Sequence, residues 1–140
     1  MAAELLAATL MVVLTVVVHA IVLSTLQRRL EHRIEAERRS VSHRLFMTVV
    51  LALCLFVLHG LEIWLYAGLY QAVGAVSGLR QAVYLSASAY GAIGFSDADV
   101  TEPWRLLAAI EGINGILLLG WTTAFFVTLM TRFMPARHMD

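Results

Sequence analysis

Three long apolar runs, separated by polar or glycine-rich stretches, dominate the hydrophobic pattern of this chain. About 20 consecutive apolar residues span the roughly 30 Å hydrocarbon core of a bilayer. The runs Leu5–Leu26, about Leu45–Tyr70 and about Trp104–Phe133 meet that length and predict three transmembrane helices. A fourth run, Leu79–Tyr90, has about 12 residues, enough for a helix of about 18 Å but too few for a span.

Composition agrees with a membrane protein. The 140 residues are 60% hydrophobic and 14% charged, and the mean hydropathy is +0.79, which is outside the usual range of soluble domains. The formal net charge is zero, so nothing favours nucleic acid as a partner. The single Cys54 excludes an intrachain disulfide. The chain has no visible nucleophile–base pair or metal-ligand set, so we expect neither an enzyme nor a bound cofactor.

Arginines between the first and second runs predict the orientation of the chain. Six of them lie within residues 27–44, and short Arg-rich loops stay in the cytoplasm. The amino terminus is then outside and the carboxyl terminus is cytoplasmic, in the inner (plasma) membrane of the cell. Arg132 and Arg137 fall on the same cytoplasmic side. The connector itself is expected to be solvated and to contact lipid head groups.

Few polar residues interrupt the apolar runs. His19 is the one ionisable residue of the first, and is either a proton sensor or a histidine satisfied at a helix interface or near the head groups. His59 and Glu62 share one face of the second. We expect the Glu62 carboxylate to point into protein, towards His59, Arg80 or a neighbouring helix.

Two interpretations of His59 and Glu62 remain open. They form either a proton-sensitive gating pair or a structural anchor near the outer interface. In the second interpretation an aromatic belt surrounds them, made of Trp64, Tyr66 and Tyr70. A metal site from one His and one Glu lacks ligands, so we predict none.

A glycine-rich stretch, Ser88–Asp97, follows the short apolar run. Its sequence is Ser-Ala-Tyr-Gly-Ala-Ile-Gly-Phe-Ser-Asp. Irregular backbone at membrane depth is tolerated only where protein or a water-filled path covers it. A re-entrant segment at this point would therefore predict a pore.

The sequence Ala92-Ile93-Gly94-Phe95-Ser96, followed by Asp97, resembles the Thr-Val-Gly-Tyr-Gly-Asp filter of the potassium-channel pore loop. The flanking segments resemble small bacterial members of that superfamily. Residues 104–116 and 120–124 look like their inner helix, and residues 59–65 look like their outer helix. The resemblance covers about residues 44–132.

The resemblance implies an all-α membrane protein that forms a homotetramer. It has three transmembrane helices, a re-entrant pore helix and a filter. Residues 1–43 form an N-terminal transmembrane helix with its connector, residues 44–134 the pore domain, and residues 135–140 a short cytoplasmic tail. Within the pore domain the expected elements are an outer helix at 45–70, a pore helix at 79–91, a filter at 92–96 and an inner helix at 104–133.

The resemblance also implies roles for individual residues. The filter would conduct K⁺, or K⁺ and Na⁺, with no other metal bound; its residues are Ala92, Ile93, Gly94, Phe95 and Ser96. Asp97 and Asp99 would form an acidic outer mouth. Gly115 would be the hinge of the inner helix, unless it serves close packing. The buried polar support would be Glu62, Glu111 and Asn114, and the cavity lining would be Ile116, Leu119, Thr123 and Val127.

Departures from the family pattern predict a looser filter. Ala92 lacks the hydroxyl of the family's Thr, Phe95 lacks the hydroxyl of Tyr, and Ser96 replaces a Gly that the family places at positive φ. We therefore expect a cation channel with weakened selectivity for potassium, which Ala92→Thr with Ser96→Gly would restore. The alternative function is a non-conducting or accessory channel-like membrane subunit.

Overall fold

The structure is a computed structural model that describes residues 1–34 and 41–133. The described part is helical throughout and has no strand. Its α-helices are α1 (Ala2–Ile34), α2 (Val41–Ala72), α3 (Leu79–Tyr90) and α4 (Arg105–Phe133), with a short 3₁₀ helix at Asp97–Asp99. Helices α1, α2 and α4 are long and apolar enough to cross a membrane. The all-α class and the three spans predicted from the sequence are thus confirmed.

The helix bounds differ from the predicted ones mainly at the Arg-rich connector. Helix α1 continues past Leu26 to Ile34, and α2 begins at Val41 rather than Leu45. Both helices therefore extend beyond their apolar runs into polar sequence. Helix α3 ends at Tyr90, with Gly91 as its C-cap. The rest of the connector and the tail after Phe133 lie outside the described residues.

Helix α1 runs parallel to α4. Near their amino ends, a carboxylate oxygen of Glu4 accepts hydrogen bonds from the backbone amides of Leu106 (2.8 Å) and Leu107 (3.3 Å). About ten residues further along, the Asn114 amide donates to the Thr15 hydroxyl at 2.8 Å. The amino end of a helix has unpaired N–H groups and a positive dipole end. Glu4 accepts hydrogen bonds from two such N–H groups at the start of α4 and places a carboxylate at the positive end of its dipole. This contact fixes the register of the two helices.

Helix α2 runs antiparallel to α4. The Tyr70 hydroxyl, near the carboxyl end of α2, donates to Glu111 in the first third of α4. Near the opposite ends of the same helices, the Thr48 hydroxyl donates to the sulfur of Met130 at 3.4 Å. The first and last helices therefore begin at the membrane face where α2 ends.

Apolar side chains form two separate clusters along the bundle. The first lies near the start of α4, and its buried members include Ala8, Tyr66, Ala67, Leu85 and Leu107. The second lies towards the other end of the bundle, and its buried members are Leu23, Leu30, Leu51, Leu55, Leu58 and Leu129. Along α1, α2 and α4, the residues between the clusters include buried polar ones. A polar layer therefore separates two apolar halves.

Glycines let the end of α3 touch α4. A Cβ built on Gly115 would lie 2.2 Å from the carbonyl oxygen of Tyr90, and one on Gly112 would lie 3.1 Å from that of Ala89. Only a residue without a side chain fits at Gly115, because the obstructing atoms are backbone. The hinge predicted at Gly115 thus coincides with a close-packing site, and α4 is helical through it.

We predict that Gly115→Ala strongly destabilises the protein. The new methyl group must displace the end of α3, which should cost about 3 kcal/mol or more, at or beyond the upper end of overpacking penalties. Gly120→Ala is the matched control, because its Cβ would meet nothing within 4 Å. Thermal unfolding of the detergent-solubilised protein, followed by tryptophan fluorescence, measures both. Equal melting temperatures for the two variants would contradict the close contact.

Candidate functional site

Helix α3 and the segment after it enter the bundle and leave at the same end. The backbone amide of Thr101, after the segment, donates to the carbonyl of Ala75, before α3, at 3.0 Å. At the inner end, Tyr90 packs against Gly115, ten residues into α4. At 1.5 Å per residue, that point lies about 15 Å below the start of α4.

The backbone from Gly91 to Ser96, which we call the α3 exit segment, is neither helix nor strand. Its amides turn back onto α3: those of Ile93 (2.9 Å) and Gly94 (3.3 Å) both donate to the carbonyl of Ser88. Residues 91–94 and 96 are exposed. Among the described residues, no backbone or side-chain donor reaches the carbonyl oxygens of residues 91–95. These acceptors are left for something outside the single chain.

The backbone conformation of the exit segment corrects one prediction. Positive φ occurs at Ala92 (54°) and Gly94 (101°), whereas Ser96 is extended at φ −88°. The Ser96 hydroxyl caps the following 3₁₀ helix by accepting from the amide of Ala98 at 3.2 Å. The positive φ that the family resemblance implies at position 96 is therefore absent, and the non-glycine residue in the left-handed region is Ala92.

The residues expected at an acidic mouth are partly engaged in local bonds. A carboxylate oxygen of Asp99 accepts from the Ser96 amide at 3.1 Å, completing a capping box. Glu102 pairs with Arg105 at 2.9 Å, with both side chains largely exposed. The side chain of Asp97 lies outside the described residues. All three acids lie at the end where the chain leaves the bundle.

The two large apolar side chains of the exit segment, Ile93 and Phe95, differ in burial. Phe95 packs against the first apolar cluster, whose buried members include Ala82 and Leu85 of α3. Ile93 is 80% exposed and therefore finds no such place within one chain.

Glu62 is the centre of one half of the polar layer. Its carboxylate is wholly buried and receives hydrogen bonds from three other side chains. Nδ1 of His19, on α1, lies 2.9 Å from Oε1, and Nδ1 of His59 lies 3.2 Å from Oε2. The hydroxyl of Tyr90, at the end of α3, donates to Oε2. Thr122 on α4 bonds the other nitrogen of His19 at 3.1 Å, so all four helices meet here.

Glu111 and Asn114 are the centre of the other half of the polar layer. The wholly buried Glu111 carboxylate accepts from the hydroxyls of Tyr70 on α2 and Ser86 on α3. The Asn114 amide group donates to the Tyr66 hydroxyl on α2 at 3.2 Å and to the Thr15 hydroxyl on α1. Glu111 thus links α4 to both α2 and α3 inside the bundle.

The polar layer bears on three expectations. Of the partners expected for Glu62, His59 and a neighbouring helix are found, whereas Arg80 is exposed and makes no hydrogen bond or ion pair with Glu62. Tyr66 and Tyr70 are wholly buried, so they are not part of an interfacial belt. The prediction of no metal set rested on too few ligands, and His19 supplies the one that was missing. The available signal was the ionisable residues inside apolar runs, His19 in the first and His59 with Glu62 in the second, since such residues pair with one another in lipid.

The residues assigned to a cavity lie on one open face of α4. Ile116, Leu119, Thr123 and Val127 are all exposed in the single chain. Their spacing of three or four residues places them along one side of the helix. A groove beside this face is lined by Leu119, Thr122 and Thr123 of α4 and by His59 of α2.

Comparison with known proteins identifies no relative: no family model, no characterised protein and no solved structure matches this chain.

We predict opposite effects for two glycine substitutions in the exit segment. Ala92→Gly should stabilise the fold by about 1 kcal/mol, because glycine carries no penalty at positive φ. Ser96→Gly should destabilise it by a few tenths to about 1 kcal/mol, because the cap is lost. Chemical unfolding of both variants in the same detergent gives the comparison. Stabilisation by Ser96→Gly would mean that the strained residue is Ser96 after all.

Proposed function

We propose that four copies of this chain form a pore for monovalent cations, conducting K⁺ or both K⁺ and Na⁺. Backbone carbonyl oxygens of Ala92, Ile93, Gly94 and Phe95 line its narrowest part. The observation that carries the proposal is the set of unpaired carbonyls at residues 91–95. They belong to a segment that begins about 15 Å below the end of a membrane-spanning bundle, where backbone acceptors need protein or a water-filled path.

The assembly follows from the chemistry of a dehydrated cation. Such an ion needs a ring of oxygens to replace its water. One chain supplies one exit segment, so a ring requires several copies about an axis, and a closed cyclic assembly provides it. Four copies complete the arrangement that the family resemblance implies. The exposed Ile93 side chain would then pack against a neighbouring copy.

Helix α3 favours a cation at this position. Its carboxyl end, at Tyr90, lies beside the exit segment. The carboxyl end of a helix carries partial negative charge, and four such ends would point at the same region. Asp99 and Glu102 at the open end of the bundle add negative charge that concentrates cations, partly offset by Arg105.

The open face of α4 would continue the path beyond the filter. Three of its four assigned residues, Ile116, Leu119 and Val127, are apolar, and Thr123 is the exception. An apolar constriction can close by expelling water. This face therefore offers a place for a gate.

The decisive experiment is ion flux from liposomes that contain the purified protein. We expect K⁺ flux, and native mass spectrometry should give about four times the chain mass of 15.5 kDa. Gly94→Ala should abolish the flux while leaving the tetramer, because Gly94 has φ 101° and alanine is strained there. Gly68→Ala serves as the control, since it lies on α2 away from the exit segment and the open face of α4, and its Cβ would meet nothing within 4 Å.

Each outcome has a distinct meaning. A monomer or dimer in lipid would remove the basis for a ring of carbonyls. A tetramer that passes no ion would favour the alternative function, an accessory or non-conducting subunit. Reversal potentials with K⁺ on one side and Na⁺ on the other measure selectivity, which we expect to be weakened because Ala92 supplies no hydroxyl.

Orientation is tested separately by cysteine labelling, after Cys54→Ala. The Arg-rich connector predicts that Ala36→Cys reacts only from the cytoplasmic side. Asp99→Cys, at the end where α4 begins, should react only from outside. The reverse pattern would place the acidic end in the cytoplasm and contradict the proposed direction of the pore.

A further inference from the structure

Three metal-ligating side chains converge in the polar layer. His19, His59 and Glu62 each present one ligand atom, and these atoms all lie within 4.8 Å of one another. The His19 and Glu62 side chains are wholly buried, and His59 is nearly so. Helix α1 contributes one ligand and α2 the other two, so all of them come from a single chain.

The cluster lacks a fixed positive charge. The Glu62 carboxylate is bonded to two imidazoles and the Tyr90 hydroxyl, and no described Arg is among its partners. A buried carboxylate in apolar surroundings is costly unless a cation or protonated group balances it. In addition, Nε2 of His59 is buried without a hydrogen-bond partner among the described residues. The side chains alone therefore leave this cluster incompletely satisfied.

The separations fit a tetrahedral ion. With metal–ligand bonds of about 2.0–2.2 Å, neighbouring ligand atoms lie about 3.4 Å apart. Nδ1 of His19 lies 2.9 Å from Oε1 and Nδ1 of His59 lies 3.2 Å from Oε2, and the ligand atoms lie within 4.8 Å of one another, so small side-chain rotations about the carboxylate would admit an ion. The Tyr90 hydroxyl, 2.8 Å from Nδ1 of His59, lies beside the fourth position.

The ligand types select the class of ion. Two imidazoles and one carboxylate suit Zn²⁺ and other first-row divalent ions. Mg²⁺ and Ca²⁺ prefer sites made of oxygens alone. Thr122 bonds the outer nitrogen of His19 at 3.1 Å, and such outer partners commonly orient a ligating imidazole.

We propose that His19, His59 and Glu62 form a binding site for a divalent transition-metal ion of the Zn²⁺ class. The ion would link α1 to α2 and, through Tyr90, would lie next to the start of the exit segment. One of the three ligands, His59, also lines a surface groove beside Thr122. The proposal does not depend on ion conduction, because one chain supplies every ligand.

The test uses the full chain in detergent, stripped of metal with a chelator and then dialysed. Calorimetric titration with Zn²⁺ should give one ion per chain. Titration with Co²⁺ should produce the intense visible absorption of a tetrahedral site, and added Zn²⁺ should remove it. This readout requires no transport activity.

Variants locate the site. His59→Ala and Glu62→Gln should each lower the affinity for Zn²⁺ about tenfold or more, since even an outer partner contributes 10–100-fold. Glu62→Gln keeps the size of the side chain and one acceptor oxygen, so a loss of binding in a folded Glu62→Gln variant is separated from a loss caused by unfolding. His43→Ala is the control: it removes a histidine of α2 outside the cluster and should leave the affinity unchanged. Tyr90→Phe retains all three ligands and should still bind Zn²⁺.

Two results would overturn the proposal. One is a folded protein, with a single cooperative unfolding transition, that binds no Zn²⁺ or Co²⁺. The other is binding that survives both His59→Ala and Glu62→Gln but weakens in His43→Ala, which would place the ion elsewhere on the chain. One Zn²⁺ per chain with loss in both cluster variants supports the proposal even if the protein conducts no ion.

Discussion

The burial of two carboxylates inside an apolar bundle is the constraint on which the rest of the structure depends. Glu62 and Glu111 are wholly buried, and an unpaired charge in that position would cost several kcal/mol. Imidazoles and hydroxyls rather than arginines stabilise them, and those donors come from other helices as well as their own. Each helix must therefore lie at the height where its donor meets the carboxylate. The apolar clusters on either side contribute most of the buried apolar surface. They constrain the relative heights of the helices less, because dispersion and hydrophobic contacts have no direction.

The same constraint determines how far α3 enters. Ser86 reaches Glu111, and Tyr90 reaches Glu62, so α3 must end at the depth of the polar layer. Gly112 and Gly115 permit that position, because any side chain on Gly115 would overlap α3. The chain must then return to the side from which it came, and it does so without regular hydrogen bonds. The unpaired carbonyls of the proposed pore are thus a consequence of two hydroxyl positions: Ser86 must reach Glu111, and Tyr90 must reach Glu62.

The apolar pattern predicted the helices well because the length of a span is a property of sequence alone. It could not predict which polar residues meet. Glu62 and His19 are 43 residues apart, and only the relative heights of two helices bring them together. Tyr66 and Tyr70 resemble belt residues by position, yet their hydroxyls are used inside, by Asn114 and Glu111. Positive φ was likewise misplaced, since it depends on Ser88 accepting from two amides of the exit segment rather than on residue type.

Helix α1 has no counterpart in the segment that resembles a channel, but it is joined to that segment by specific bonds. Glu4 caps α4, Thr15 bonds Asn114, and His19 bonds both Glu62 and Thr122. It lies parallel to α4 and covers one side of it. In the proposed tetramer a neighbouring copy could not occupy that side of α4, because α1 already covers it. The open face of α4, from Ile116 to Val127, would then be free to line the proposed path, with α1 on the flank of each subunit.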